Sequence, residues 1–201
     1  MAFKVKILND NIIEKMKYHH IWTKKCPVPL SDLVLIELIH YDFHYQKTIG
    51  EIIVHKKVAS STVKIFKQLY DIKFPIHSVK LIDEFAGDDN LSMSMNNSSG
   101  FNYRKIENSD LISMHSYGLA IDINPVQNPY IINPGSDNEK IIPEKSNEFR
   151  DRSRQRLGMV EKIVHIFQNN EFSEWGGEWS APVDYHHFQF PRKRLSEIIT
   201  L

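Results

Sequence analysis

The chain has one cysteine, Cys26, a formal net charge of zero and no long apolar run, and each shortage removes a class of protein. A lone thiol cannot form an intramolecular disulfide, and a cysteine-rich zinc module is excluded. Lys and Arg together number 25, as do Asp and Glu, so no basic field exists to attract nucleic acid or an anionic membrane. Specificity must come from a local site. At the N-terminus, short apolar stretches are broken by Lys, Asn, Asp and Glu, which leaves neither a signal-peptide core nor a membrane span. Compartment and export route stay open: periplasmic, secreted and lysis-released are all compatible. No fixed-period repeat or low-complexity run is present.

What is there is enough for one ordinary core. The 201 residues are 41% hydrophobic, and a single domain over residues 1–201 is expected. Residues 33–39 are apolar enough for a buried strand or a short helix. Over residues 51–70, Ala59, Val63, Phe66 and Tyr70 share one helical face, and Pro75 prevents continuation. A second helix is expected over 148–169, burying Leu157, Val160, Val164 and Phe167. The polar run DDNLSMSMNNSS at 88–99 predicts an exposed loop. Residues 119–124 alternate like a strand, with Asp122 on the face away from the core, and 187–190 alternate again, with Phe188 and Phe190 inward. The class expected is α+β: a small antiparallel sheet carrying the site on one face, helices packed behind.

Three potential metal ligands fall in these strand-like segments: His115, Asp122 and His187. Two imidazoles and a carboxylate suit one Zn2+ and leave its fourth position open, the catalytic rather than the structural arrangement. Hydrolysis also needs a base, and Asp184, three residues before His187, can reach over the metal from the same turn. Negative charge developing on the substrate needs a fixed cation, for which Arg104 is the best candidate; it could equally clamp a substrate carboxylate. Of the remaining histidines, His19 and His20 are neighbours whose side chains diverge, and nothing ties the others to the metal set.

Residues 113–122, SMHSYGLAID, resemble the S-x-H-x-x-G-x-A-x-D signature of the D-alanyl-D-alanine carboxypeptidase and L-alanyl-D-glutamate endopeptidase family of zinc peptidases. A second stretch, WGGEWSAPVDYHHFQF at 175–190, resembles that family's carboxylate-before-histidine signature in its Trp-Gly-Gly-x-Trp context. A third, SGFNYR at 99–104, looks like the segment presenting the family's active-site arginine. The resemblance covers about residues 81–191; the first fifty carry no recognised motif. It implies a hedgehog/D,D-peptidase-like fold, zinc on His115, Asp122 and His187, Asp184 as base and Arg104 as substrate or oxyanion stabiliser. The implied substrate is a peptidoglycan stem peptide.

His187 is preferred to the adjacent His186 because it directly precedes Phe-Gln and keeps the three-residue step from Asp184; His186 is then a surface residue or a supporting neighbour. Asp184, where vancomycin-resistance-type D,D-peptidases carry Glu, resembles the L-alanyl-D-glutamate endopeptidase branch and other short members of the family. Ser113 is a candidate substrate contact or a turn cap. Trp175 and Trp179 could wall a peptide groove or pack in the core. The competing reading is a non-catalytic zinc-containing module on the same fold, as in the signalling domain of hedgehog proteins.

Overall fold

A computed structural model describes residues 3–106 and 109–199. The chain opens with β1 (Lys4–Ile7) and α1 (Asp10–Tyr18). Asn9 caps α1, its side chain accepting from the Ile12 amide at 2.9 Å. Next come β2 (Leu33–Tyr41) and β3 (Lys47–His55), an antiparallel hairpin in nine-residue register, with β1 on the other edge of β2. The turn between them closes on Asp42, whose carboxylate accepts from the His44 and Gln46 amides. After one 3-10 turn, α2 (Ala59–Asp71) packs across β2.

The first helix expected from sequence is thus only half a helix. Residues up to His55 are strand, because Ile52, Ile53 and Val54 pair with β2 and bury on it. Within α2 the buried stripe is Thr62, Ile65, Phe66 and Leu69, with Val63 and Tyr70 only half-buried.

The second half is built from short pieces: β4 (Ser78–Val79), α3 (Asp89–Ser94), β5 (Asn97–Ser98), β6 (Ala120–Asp122), β7 (Tyr130–Ile132), β8 (Lys140–Ile142), α4 (Val164–Gln168), β9 (Glu174–Trp175), β10 (Val183–Asp184) and β11 (His187–Gln189). Two antiparallel three-stranded sheets form, ordered β6-β11-β9 and β10-β7-β8, while β4 and β5 make a parallel pair. The class is α+β, as expected. A cluster of buried apolar side chains extends from Leu8 to Ile199, with Phe167 of α4 stacked on Phe188 of β11 at 3.9 Å. Among the described residues no helix is long and apolar enough to cross a membrane.

Three further expectations are corrected. Residues 88–99 are not an exposed loop: Asn96 to Ser99 are buried. Their polar groups are satisfied, since the Asn97 amide bonds Lys80 on both its N–H and C=O and also Ser92, and Asn96 bonds Gln127 and Val126. Residues 148–169 are not one helix. Gly158 turns at φ +81°, its carbonyl accepts from Asn124 and Asn128, and Leu157 faces solvent. Asp122 is not on an open face either, because β6 is buried on both sides.

Candidate metal centre and cleft

His115 stands in a one-turn 3-10 helix, Met114–Tyr117, that Gly118 ends at φ +68°. Ser113 caps this turn, its Oγ accepting from the His115 amide at 3.3 Å. Only glycine fits at 118: an added Cβ would lie 2.5 Å from the His55 nitrogen, whose N–H donates to the Gly118 carbonyl. Gly100 is pressed equally hard on β3, where an added Cβ would lie 2.4 Å from the Ile53 carbonyl oxygen, and its own carbonyl accepts from His115 Nδ1 at 2.6 Å. A carbonyl can only accept, so Nδ1 carries the proton and Nε2 presents a lone pair.

His187 is oriented by the same logic from the other side. Glu174 accepts from the Gln189 amide nitrogen at 2.6 Å, which turns Gln189 Oε1 towards His187 Nε2 at 2.9 Å. His187 Nε2 is therefore the donor, and Nδ1 faces inward. Asp122, the Cα partner of His187 across β6 and β11, completes the group. Its oxygens lie 3.0 Å from His187 Nδ1 and 3.1 Å from His115 Nε2, and the two ring nitrogens are 3.1 Å apart.

Two imidazole lone pairs and a carboxylate converging in this way form a group that could hold a metal ion. The fit is good, since donors about 2.0–2.1 Å from a tetrahedral zinc stand roughly 3.3 Å apart. Burial pushes the Asp122 carboxyl up, but His115, His186 and the hydrogen bonds outweigh it and hold the group well below the ordinary carboxylate range. Burial pushes His187 down, and its bond to Asp122 more than reverses this.

Asp184 lies in β10 opposite Tyr130. Gly176 of the Trp-Gly-Gly turn packs directly on it, where an added Cβ would sit 2.5 Å from the Asp184 carbonyl. Burial pushes the Asp184 carboxyl above its ordinary value, the nearby histidines opposing and Asp122 reinforcing the shift. His186 is neither a surface residue nor one of the three converging groups. It is 3% exposed, its Nδ1 donates to the Asn128 carbonyl at 2.7 Å, and its Nε2 lies 3.0 Å from Asp184 Oδ1. The turn between them is gripped by Arg152, whose guanidinium stacks 4.4 Å over Tyr185 and donates to Asn128.

These groups open on a cleft of about 420 Å³ lined by Asp89, Arg104, Tyr130, Trp179, Asp184 and His187 among others. Arg104 reaches it from a segment tied by its amide to Ser116 Oγ, and pairs with Asp89 at 3.0 Å. Burial opposes its charge, but Asp89, Asp122 and Asp184 raise it above the ordinary guanidinium value. Ser113 also lines the cleft while capping the turn. The two tryptophans divide: Trp179 sits at the cleft, 5.5 Å from the His187 ring, whereas Trp175 stacks on Phe188 in the core. Sequence reasoning missed Asp89, Asn128, Tyr130 and Glu174. Gln189 alone had a signal, its place beside His187 on one strand face.

A buried two-histidine, one-carboxylate group beside a second buried acid and an arginine has the parts of a metal-dependent hydrolase. Residues 107–190 match the family model described as D-alanyl-D-alanine carboxypeptidase, so this segment is similar to that peptidase family. The match holds His115, Asp122, Asp184 and His187 and stops short of Arg104. Neither the curated proteins nor the solved structures contain a significant match.

Proposed function

We propose that the protein is a zinc-dependent peptidase hydrolysing peptidoglycan stem peptides, as a D,D-carboxypeptidase or an L-alanyl-D-glutamate endopeptidase. The observation that carries this reading is the convergence of His115 Nε2, His187 Nδ1 and the Asp122 carboxylate at 3.0–3.1 Å, beside Asp184 and open to the Arg104 cleft. The chemistry zinc supplies there is Lewis acidity, which polarises a carbonyl and brings the pKa of water towards neutrality.

The chain's own groups do the rest. Asp184, an acceptor whose raised pKa suits a base, takes the proton of the attacking water and returns it to the leaving amine as the C–N bond breaks. Arg104, fixed by Asp89, faces the negative charge that develops on the carbonyl oxygen. Trp179 offers an apolar wall for the peptide. A binding module without catalysis has no use for Asp184 and Arg104 at the same cleft, which argues against the competing reading.

The test is incubation with muropeptides followed by mass analysis of the products. One defined fragment is expected, and its release should stop on chelation and in Asp184→Ala. Cleavage that survives either treatment would sink the proposal.

A further inference from the structure

Three cations line the cleft: Arg104, Lys105 and Arg192. Two are already matched with acids, Arg104 with Asp89 at 3.0 Å and Lys105 with Asp110 at 2.8 Å. Arg192 is different. Among the described residues no carboxylate lies within ion-pair distance of its guanidinium, which donates through Nη2 to the Ile112 carbonyl at 2.9 Å.

That bond places the charge beside the site. Ile112 precedes Ser113, the cap of the turn that carries His115. The Arg192 backbone is fixed from the other direction, its amide donating to Glu174 Oε2 at 3.3 Å, the same oxygen that holds Gln189 against His187. Arg192 is thus anchored to both segments that bear histidine ligands, half-buried, with guanidinium N–H groups left over after its one bond. A half-buried, pre-positioned guanidinium with no acid beside it among the described residues is suited to bidentate capture of a ligand carboxylate.

We propose that Arg192 is the specificity-determining residue of the cleft and binds the free terminal carboxylate of the substrate, so that the bond cut is the one before a C-terminal residue. This rests on the peptidase reading and selects the carboxypeptidase within it. It also sets Arg192 apart from Arg104, whose charge Asp89 balances and which serves the reacting carbonyl.

The experiment compares an acyl-D-alanyl-D-alanine peptide with its C-terminal carboxamide. The zinc-loaded protein should prefer the acid by roughly ten- to a hundredfold in kcat/KM, the range expected for a hydrogen-bonded charge pair. Arg192→Gln should bring the ratio to within about threefold of unity, with Arg192→Lys between the two. Zinc content and melting curves report whether each variant folds. Calorimetric titration of the two peptides into the metal-free protein reads the same preference without turnover. A ratio that persists in Arg192→Gln, or no preference in the wild-type chain by either readout, overturns the assignment. Cleavage of an L-alanyl-D-glutamate bond with neither D-alanyl peptide bound or cut would overturn it while leaving the peptidase reading intact. Absence of any hydrolysis, with the acid preference still seen in binding and lost in Arg192→Gln, would support the carboxylate site and sink the peptidase reading.

Discussion

Asp122 and His187 stand directly opposite each other in the β6–β11 ladder, and this register puts the carboxylate 3.0 Å from His187 Nδ1. Side chains opposite one another share a face, and a slip of one residue would put His186 or Phe188 there instead. The choice between the adjacent histidines is therefore made by strand pairing. His187 meets Asp122, and His186 turns to Asn128 and Asp184.

The first prediction concerns metal content. Purified protein should hold about one zinc per chain, and His115→Ala, Asp122→Ala and His187→Ala should each lose it, whereas His186→Ala should retain it. Elemental analysis after dialysis decides; loss of zinc from His186→Ala would make that residue a ligand.

Removing the carboxylate proposed as the base separates chemistry from metal binding. Asp184→Asn should keep the zinc and lower kcat by roughly 10²–10⁴-fold. In the wild-type protein, burial raises the Asp184 carboxyl, and the base works only when deprotonated. The rate should fall as pH drops through a value above the ordinary 3.9 or so of an aspartate. A pH profile of kcat/KM with its acid limb at or below that value would contradict the assignment.

Gly118→Ala should destabilise the protein by about 2–4 kcal/mol, combining a left-handed backbone with a backbone clash. The added Cβ would sit 2.5 Å from the His55 nitrogen at φ +68°. Urea unfolding measures it, and a change under 1 kcal/mol or so would show that the turn can relax.

His55 gives the protein an acid-sensitive interior. Burial pushes its imidazole from 6.5 down to about 4, Asp32 opposing only weakly at 3.9 Å. A depressed imidazole pKa means that the unfolded chain binds the proton first, so this stability is present above pH 6.5 and is lost as pH falls towards 4. The loss should be on the order of 1–3 kcal/mol, allowing for partial solvent screening. His55→Asn keeps an acceptor for the Lys57 amide and cannot titrate. Melting temperatures of the two proteins between pH 7 and 4 should diverge in slope; parallel curves would refute the role.

The sequence made the site more legible than the scaffold, and the reasons are physical. His115, Gly118 and Asp122 are constrained by the convergence of the two side chains on one point and by a turn that admits no Cβ, so their spacing is rigid. The helix expected at 51–70 failed where long-range pairing with β2 took over Ile52, Ile53 and Val54, residues whose apolar pattern suits either element. The loop expected at 88–99 failed because polarity was taken for exposure, while Asn96 and Asn97 are buried and hydrogen-bonded. Asp89 carried no signal at all, since its partner Arg104 is fifteen residues away and meets it only in the folded chain.

The hairpin of β2 and β3 belongs to a stretch with no recognised motif, and it lies wholly outside the family-matched span of 107–190. Yet Ile53 and His55 of β3 are what Gly100 and Gly118 press against, and those two glycines hold His115. The matched segment is consequently not a portable module. Cut out alone, it would lack the anvil on which the His115 turn is shaped, an anvil supplied by the part of the chain that carries no signature.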